Sequence, residues 1–153
     1  MALAEAVGEE RLGFLAEVIA GRRDLGDTGA QLCRYLAEAC GRGAPGAWEA
    51  LSAAAGVEPA CLPGALGDCS DAAAEAVVRA WREQPDERRA AAPIDLPALL
   101  GAPGARVRAA ALQTLDSSSR KEFLVRAVDM ALGDTDIEVR EQARQAARRI
   151  AGA

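Results

Sequence analysis

The 153-residue chain is long enough for one domain with its own core; half of its residues are hydrophobic, yet only 3% are aromatic. Its formal charge is −5 and it has no histidine, which excludes Ser-His and Cys-His nucleophile pairs and an imidazole general base. Alanine supplies much of the apolar content while Val and Ile are few, a composition that predicts an all-α protein and not a large sheet.

The acidity is uneven. Residues 1–92 hold 15 acids and 9 bases (−6), and residues 93–153 hold 8 acids and 9 bases (+1), which together give −5. Neither part has the strongly basic surface that nucleic-acid binding uses, so a nucleic-acid partner is not expected. The first residues, MALAEAVGEERLGFL, carry acids where a signal peptide has a basic region. No apolar run reaches the ~18 residues of a membrane span. A cytoplasmic protein without a membrane partner is the expectation. Cys33, Cys40, Cys61 and Cys69 are spaced without a C-x-x-C pair, and no histidine can complete a zinc site. They are expected to be reduced thiols acting as small core residues, with neither a metal site nor a structural disulfide.

Leu12, Leu15, Val18 and Ile19, with Phe14 alongside, recur at helical spacing and predict a first helix over residues 1–24. Thr28 and Gln31 have capping-box spacing ahead of a second helix through Leu32, Cys33, Tyr35, Leu36, Ala39 and Cys40. Pro45 opens a helix through Trp48, Leu51 and Ala55. Residues 57–67, with Pro59, Pro63 and Gly64, read as broken structure or a short turn. Ser70 or Asp71 caps a helix through Ala74, Val77, Val78 and Trp81, which Pro85 stops. Residues 85–93, PDERRAAAP, read as a linker loop. Asp95 and Pro97 begin a short helix, and Val107, Ala111, Leu112 and Leu115 define the next. Ser119 with Glu122, and Thr135 with Glu138, have capping-box spacing ahead of the last two helices. In the first of these, Phe123, Leu124, Ala127, Val128, Ala131 and Leu132 are expected to face the core.

A pattern runs through these elements. Leu-Gly pairs fall at Leu25-Gly26, Leu66-Gly67, Leu100-Gly101 and Leu132-Gly133, three of them followed by Asp. Their 32- to 41-residue steps point to stacked helix pairs that share one continuous core. The segments GAPGARVRAAALQTL and GDTDIEVREQARQAA resemble HEAT repeats. The signature falls on Asp136, Val139, Arg140, Ala143 and Ala147 in the last repeat and on Val107, Arg108, Ala111 and Leu115 in the one before. That earlier repeat has Gly104 where the Asp would stand. Residues 93–153 match well; residues 1–92 match by period alone, which leaves armadillo-type stacking or a small capping bundle open for residues 1–84.

The resemblance implies a single domain over 1–153, a right-handed α-solenoid of about four helix pairs. It also implies a non-catalytic adaptor, scaffold or assembly factor that binds another protein. The binding face would be lined by the second helices, about 28–40, 70–84, 104–116 and 136–151. No cofactor is expected. The His-Glu ligand pairs of HEAT-like deoxyhypusine hydroxylases are absent, as is the basic, aromatic-lined groove of HEAT-like DNA glycosylases. Alternatives are an accessory subunit of an enzyme complex and, more weakly, nucleic-acid binding through arginines. Self-association through an open solenoid end is a further expectation.

The candidate site residues are few. Arg140, Arg144 and Arg148 lie four apart on one ridge with Arg149 beside them, a strip for an acidic or phosphorylated partner. The same residues also fit structural roles. Arg140 matches the repeat's structural arginine, and Arg148 and Arg149 offset a helix dipole. Trp48 and Trp81, the two tryptophans, suit either binding hot spots or the core. The Ser117–Ser119 cluster and the acids Asp134, Asp136 and Glu138 are explained by helix capping.

Overall fold

The structure, a computed structural model, describes residues 11–67 and 69–152. The start of the first predicted helix and Asp68 of the second Leu-Gly-Asp turn lie outside the described residues. All regular elements among those residues are helical. They are α1 (Leu12–Ala20), a 3-10 turn (Gly26–Thr28), α2 (Gly29–Gly41), α3 (Ala47–Val57), α4 (Cys61–Ala65), α5 (Asp71–Arg82), α6 (Asp86–Ala91), α7 (Leu96–Leu100), α8 (Ala105–Gln113), α9 (Lys121–Gly133) and α10 (Ile137–Ala151). The chain is therefore all-α, and it divides after Ile94 into two compact units.

In the first unit α2 is the central element. Its Leu32, Cys33, Leu36, Ala37 and Ala39 are buried on one side, and α3, α4 and α5 pack around them. Leu12, Leu15 and Ile19 send α1 onto α3, so α1 and α2 do not form the hairpin that a regular pair would make. Gly46 explains how closely α1 and α3 approach. Its φ is 79°, and a Cβ there would sit 2.3 Å from the Gly13 backbone nitrogen.

Two expectations for this unit are overturned. Cys33 on α2 and Cys61 on α4 form a disulfide, with Cα atoms 6.2 Å apart; they are not separate core thiols. The spacing in sequence hid this, because α4 is a five-residue helix inside the proline-broken segment. Gly64 permits the approach, since a Cβ there would meet Ala30 Cβ at 2.9 Å. The linker 85–93 is not a loop. Asp86–Ala91 is helical, Arg88 donates to the Gly56 carbonyl, and the Ala92 carbonyl accepts from Trp81 Nε1 at 2.7 Å.

The second unit is built from α7–α10. Asp95 caps α7 by accepting from the Ala98 N–H at 3.2 Å. Leu100, Ala111, Leu112, Leu115, Ala127, Met130, Val139, Ala143 and Ala146 form the core, with α10 packed against both α9 and α8. Two caps differ from expectation. Asp136, not Thr135, caps α10 by accepting from the Glu138 and Val139 N–H groups. Ser119 Oγ accepts from the Asp116 N–H and so closes the preceding turn, and Arg120 stands uncapped at the start of α9. The 3-10 turn likewise leaves Thr28 without a capping bond. A larger difference lies on α9. Ala127 and Met130 set its inward face, so Val128 is 42% exposed and Leu132 81% exposed, against the expectation that both face the core.

Candidate interaction surface

An amphipathic helix packed on one side must present the other. Gln31, Arg34, Tyr35 and Glu38 on the outward side of α2, with Arg42 just past its end, line an open trough of about 530 Å³. Two of these side chains also hold the fold. Arg34 donates to the Gly64 and Ala65 carbonyls at 3.1 and 3.4 Å, which closes the end of α4. Glu38 accepts from the Ser70 N–H at 2.8 Å and from Ser70 Oγ at 2.7 Å, while Ser70 caps α5. The trough thus has rigid walls, with Tyr35, partly buried against the core, between them and the exposed Arg42 at one end. A short peptide or helix edge could lay an apolar side chain on the tyrosine ring. These residues were not among the sequence candidates. The signal was present in the single tyrosine of the chain, with Gln31 four residues before it, Arg34 beside it and Glu38 three residues after it.

Both tryptophans belong to the first unit. Trp81 is 9% exposed, and its N–H is committed to the Ala92 carbonyl. The Arg89 guanidinium lies over its ring at 5.6 Å, so Trp81 packs within the core. Trp48 packs against the same core, and Arg79 covers its ring at 4.7 Å. Neither offers a bare aromatic face.

The four arginines lie in the second unit and differ in their contacts. Arg149 donates to the Leu115 and Leu112 carbonyls at 2.8 and 2.9 Å, at the end of α8. Arg140 donates from Nη1 to the Asp134 carbonyl at 2.8 Å. Arg144 pairs with Glu141 at 3.1 Å in an exposed bridge of small energetic weight. Hydrogen bonds from Gln145 and Arg144 hold the Glu141 carboxyl below the usual carboxylate range. Arg144 and the exposed Arg148 thus remain on the outer face of α10.

The most ordered polar group is the Arg108–Asp134 pair. Arg108 donates from Nε and Nη2 to the two Asp134 carboxylate oxygens, each at 3.0 Å, and from Nη1 to the Ala102 and Pro103 carbonyls at 2.9 Å. Asp134 also accepts from the Asp136 N–H at 2.9 Å. Burial raises the Asp134 pKa, but the Arg108 hydrogen bonds, the Asp136 N–H and the charges of Arg108 and Arg140 outweigh it. The carboxyl is therefore held below its ordinary value. The Arg108 bond to Ala102 and the Arg140 bond to Asp134 repeat one geometry, with donor and acceptor both displaced by 32 residues.

Among the described residues no group of three His, Cys, Asp or Glu side chains is placed to hold a metal ion. Cys40 and Cys69 are free thiols. Burial, partly offset by Arg79, pushes Cys40 up to about 11, and burial with the nearby Glu38 raises Cys69. Neither is tuned as a nucleophile. No described helix is long and apolar enough to cross a membrane. Compared with known proteins, the chain matches no family model, no curated protein and no solved structure.

Proposed function

We propose that this chain is a non-catalytic protein–protein interaction module, an adaptor, scaffold or assembly factor, organised as a HEAT-like solenoid. The repeated arginine-to-turn bond at a 32-residue step supports the HEAT-like reading of the second unit. The observation that carries the function is the α2 trough, where rigid walls flank the outer edge of a partly buried tyrosine and an exposed arginine. Aromatic and arginine side chains supply most interface hot spots, and walls already locked by hydrogen bonds lower the ordering cost of binding. The disulfide supports an oxidising compartment over the cytoplasm, since cytosolic thiol pools keep structural cysteines reduced.

The test is quantitative affinity capture from the native host with the wild-type chain and with Tyr35→Ala and Arg42→Glu. The same proteins retained by wild type should fall at least about tenfold with either variant, with circular dichroism verifying that each is folded, since Tyr35 also packs against the core. Equal retention by all three chains would remove the trough as the binding face. Retention of a small molecule and no protein would remove the module reading itself.

A further inference from the structure

Residues 85–92 lead from the end of α5 to Ile94, which packs against the core of the first unit. Between these anchors the chain forms α6, Asp86–Ala91, and none of its 6 residues is buried. A helix that short has no stability of its own in water, so contacts with the rest of the unit must hold it. Arg88 donates to the Gly56 carbonyl, one of the last four carbonyls of α3 and otherwise without a helical donor. Trp81 Nε1 donates to the Ala92 carbonyl at 2.7 Å. The Arg89 guanidinium lies 5.6 Å over the Trp81 ring. These are polar and cation–π contacts. Ala92, the buried side chain of the segment, is too small to add much apolar area.

The contact with Trp81 also carries a penalty. Arg89 Nε is buried and has no hydrogen-bond partner among the described residues. A buried donor left unpaired favours any state in which water reaches it. The ion pair of Arg89 with Asp86 offsets little of this, because the Asp86 side chain is 91% exposed. The neighbouring helix α5 has the opposite balance. Its Val77, Val78 and Ala80 are buried, and Ser70 caps its first turn. Within one unit, α6 and α5 therefore stand at opposite ends of local stability.

We propose that residues 85–92 are a strap that opens and closes over Trp81 while the rest of the first unit stays folded. Closed, the strap satisfies the indole N–H and covers the ring. Open, it gives Arg89 Nε to water and bares the indole, an aromatic group of the kind that anchors protein interfaces. Trp81 is thus gated and not permanently buried. The strap is separate from the α2 trough and does not rest on it.

Hydrogen exchange of the full chain under native conditions, followed by NMR, reads the opening. The Arg89 and Ala92 amides donate to Pro85 and Arg88 within the strap. Relative to their intrinsic rates, they should exchange at least about 100-fold faster than those of Val77 and Ala80 in α5. Arg88→Ala removes the tie to Gly56 and should speed the strap amides about fivefold further, with α5 unchanged. Arg89→Met puts an apolar side chain where the unpaired donor lies and should slow them about threefold. Alkylation of Trp81 by hydroxynitrobenzyl bromide, timed by mass spectrometry of the peptide that carries it, should follow the same order among the three chains. Strap amides that exchange only as slowly as those of α5 overturn the proposal. So does an Arg88→Ala chain with unchanged strap exchange, or an Arg89→Met chain whose strap exchanges no more slowly. Trp81 alkylation that stays constant while strap exchange changes also overturns it, since α6 would then fray without uncovering the indole.

Discussion

Replacing Asp134 by alanine removes the carboxylate that joins the two halves of the second unit. The side chains of Arg108 and Asp134 are 13% and 8% exposed, so the guanidinium left behind cannot regain full hydration. Three charge-assisted hydrogen bonds to the carboxylate are lost, two from Arg108 and one from the Asp136 N–H. Arg108 keeps its two carbonyl contacts, which moderates the cost. Breaking a buried ion pair by removing one partner costs about 3–5 kcal/mol, and the retained contacts place this case near ~3 kcal/mol. With a urea m-value of roughly 1–2 kcal/mol/M, the midpoint should fall by about 1.5–3 M. The assay is urea unfolding at pH 7 followed by circular dichroism at 222 nm. Tryptophan fluorescence, which arises wholly from the first unit, gives a second and local probe. The pH dependence adds a sign. Asp134 has its pKa lowered in the folded state, so its contribution is fully present above the unfolded carboxyl pKa of ~3.9. It is lost as pH falls through the lower folded value. The gap between wild type and Asp134→Ala should therefore narrow in acid. A midpoint unchanged at pH 7, or a gap that widens below pH 4, would refute the assignment.

The disulfide closes a 28-residue separation, for which chain entropy gives about 3.5 kcal/mol. Cys33→Ser should lower stability by that order in urea unfolding, and denatured wild-type protein should titrate two thiols, not four. Gly46→Ala combines a left-handed φ with a clash against the Gly13 backbone, so a loss of at least ~2 kcal/mol in thermal or urea unfolding is expected. A neutral result there would mean that α1 and α3 are not in close contact. With Cys40 pushed up to about 11, iodoacetamide at pH 8 should alkylate it roughly two orders of magnitude more slowly than an ordinary thiol near 8.5. Timed mass spectrometry of the peptide that carries Cys40 measures this.

Helix periodicity was legible wherever the buried face is wide. Leu32, Leu36 and Ala39 of α2, and Val139 and Ala143 of α10, stand where their spacing predicted. Caps were read to within a residue or two, because Thr135 and Asp136 both suit the role and only the turn geometry chooses between them. What could not be read depends on distance in space. The Cys33–Cys61 bond needs α4, a helix too short to show a period. The side of α9 that is covered depends on whether another layer lies beyond it, and Leu132 has the same local pattern as the buried Leu100. The Arg140 ridge was visible, but its division into structural and exposed members follows from carbonyls up to 37 residues away. The α2 trough was not legible because Tyr35 fits the apolar period of its helix and its walls depend on contacts 30 to 32 residues away.

The contact from Arg149 to the end of α8 bears on how the molecule is made. The Leu115 carbonyl waits 34 residues for its Arg149 donor, and the Leu112 carbonyl, which already accepts from the Leu115 N–H at 3.2 Å, gains a second donor from 37 residues away. On a ribosome adding about 5–20 residues per second, α8 emerges seconds before the side chain that closes it. Until then its last turn relies on the Thr114 hydroxyl and on the Thr114 and Leu115 N–H groups. The second unit should therefore become protease-resistant in one late event and not helix by helix. Nascent chains arrested before residue 149 should remain cleavable near Leu115.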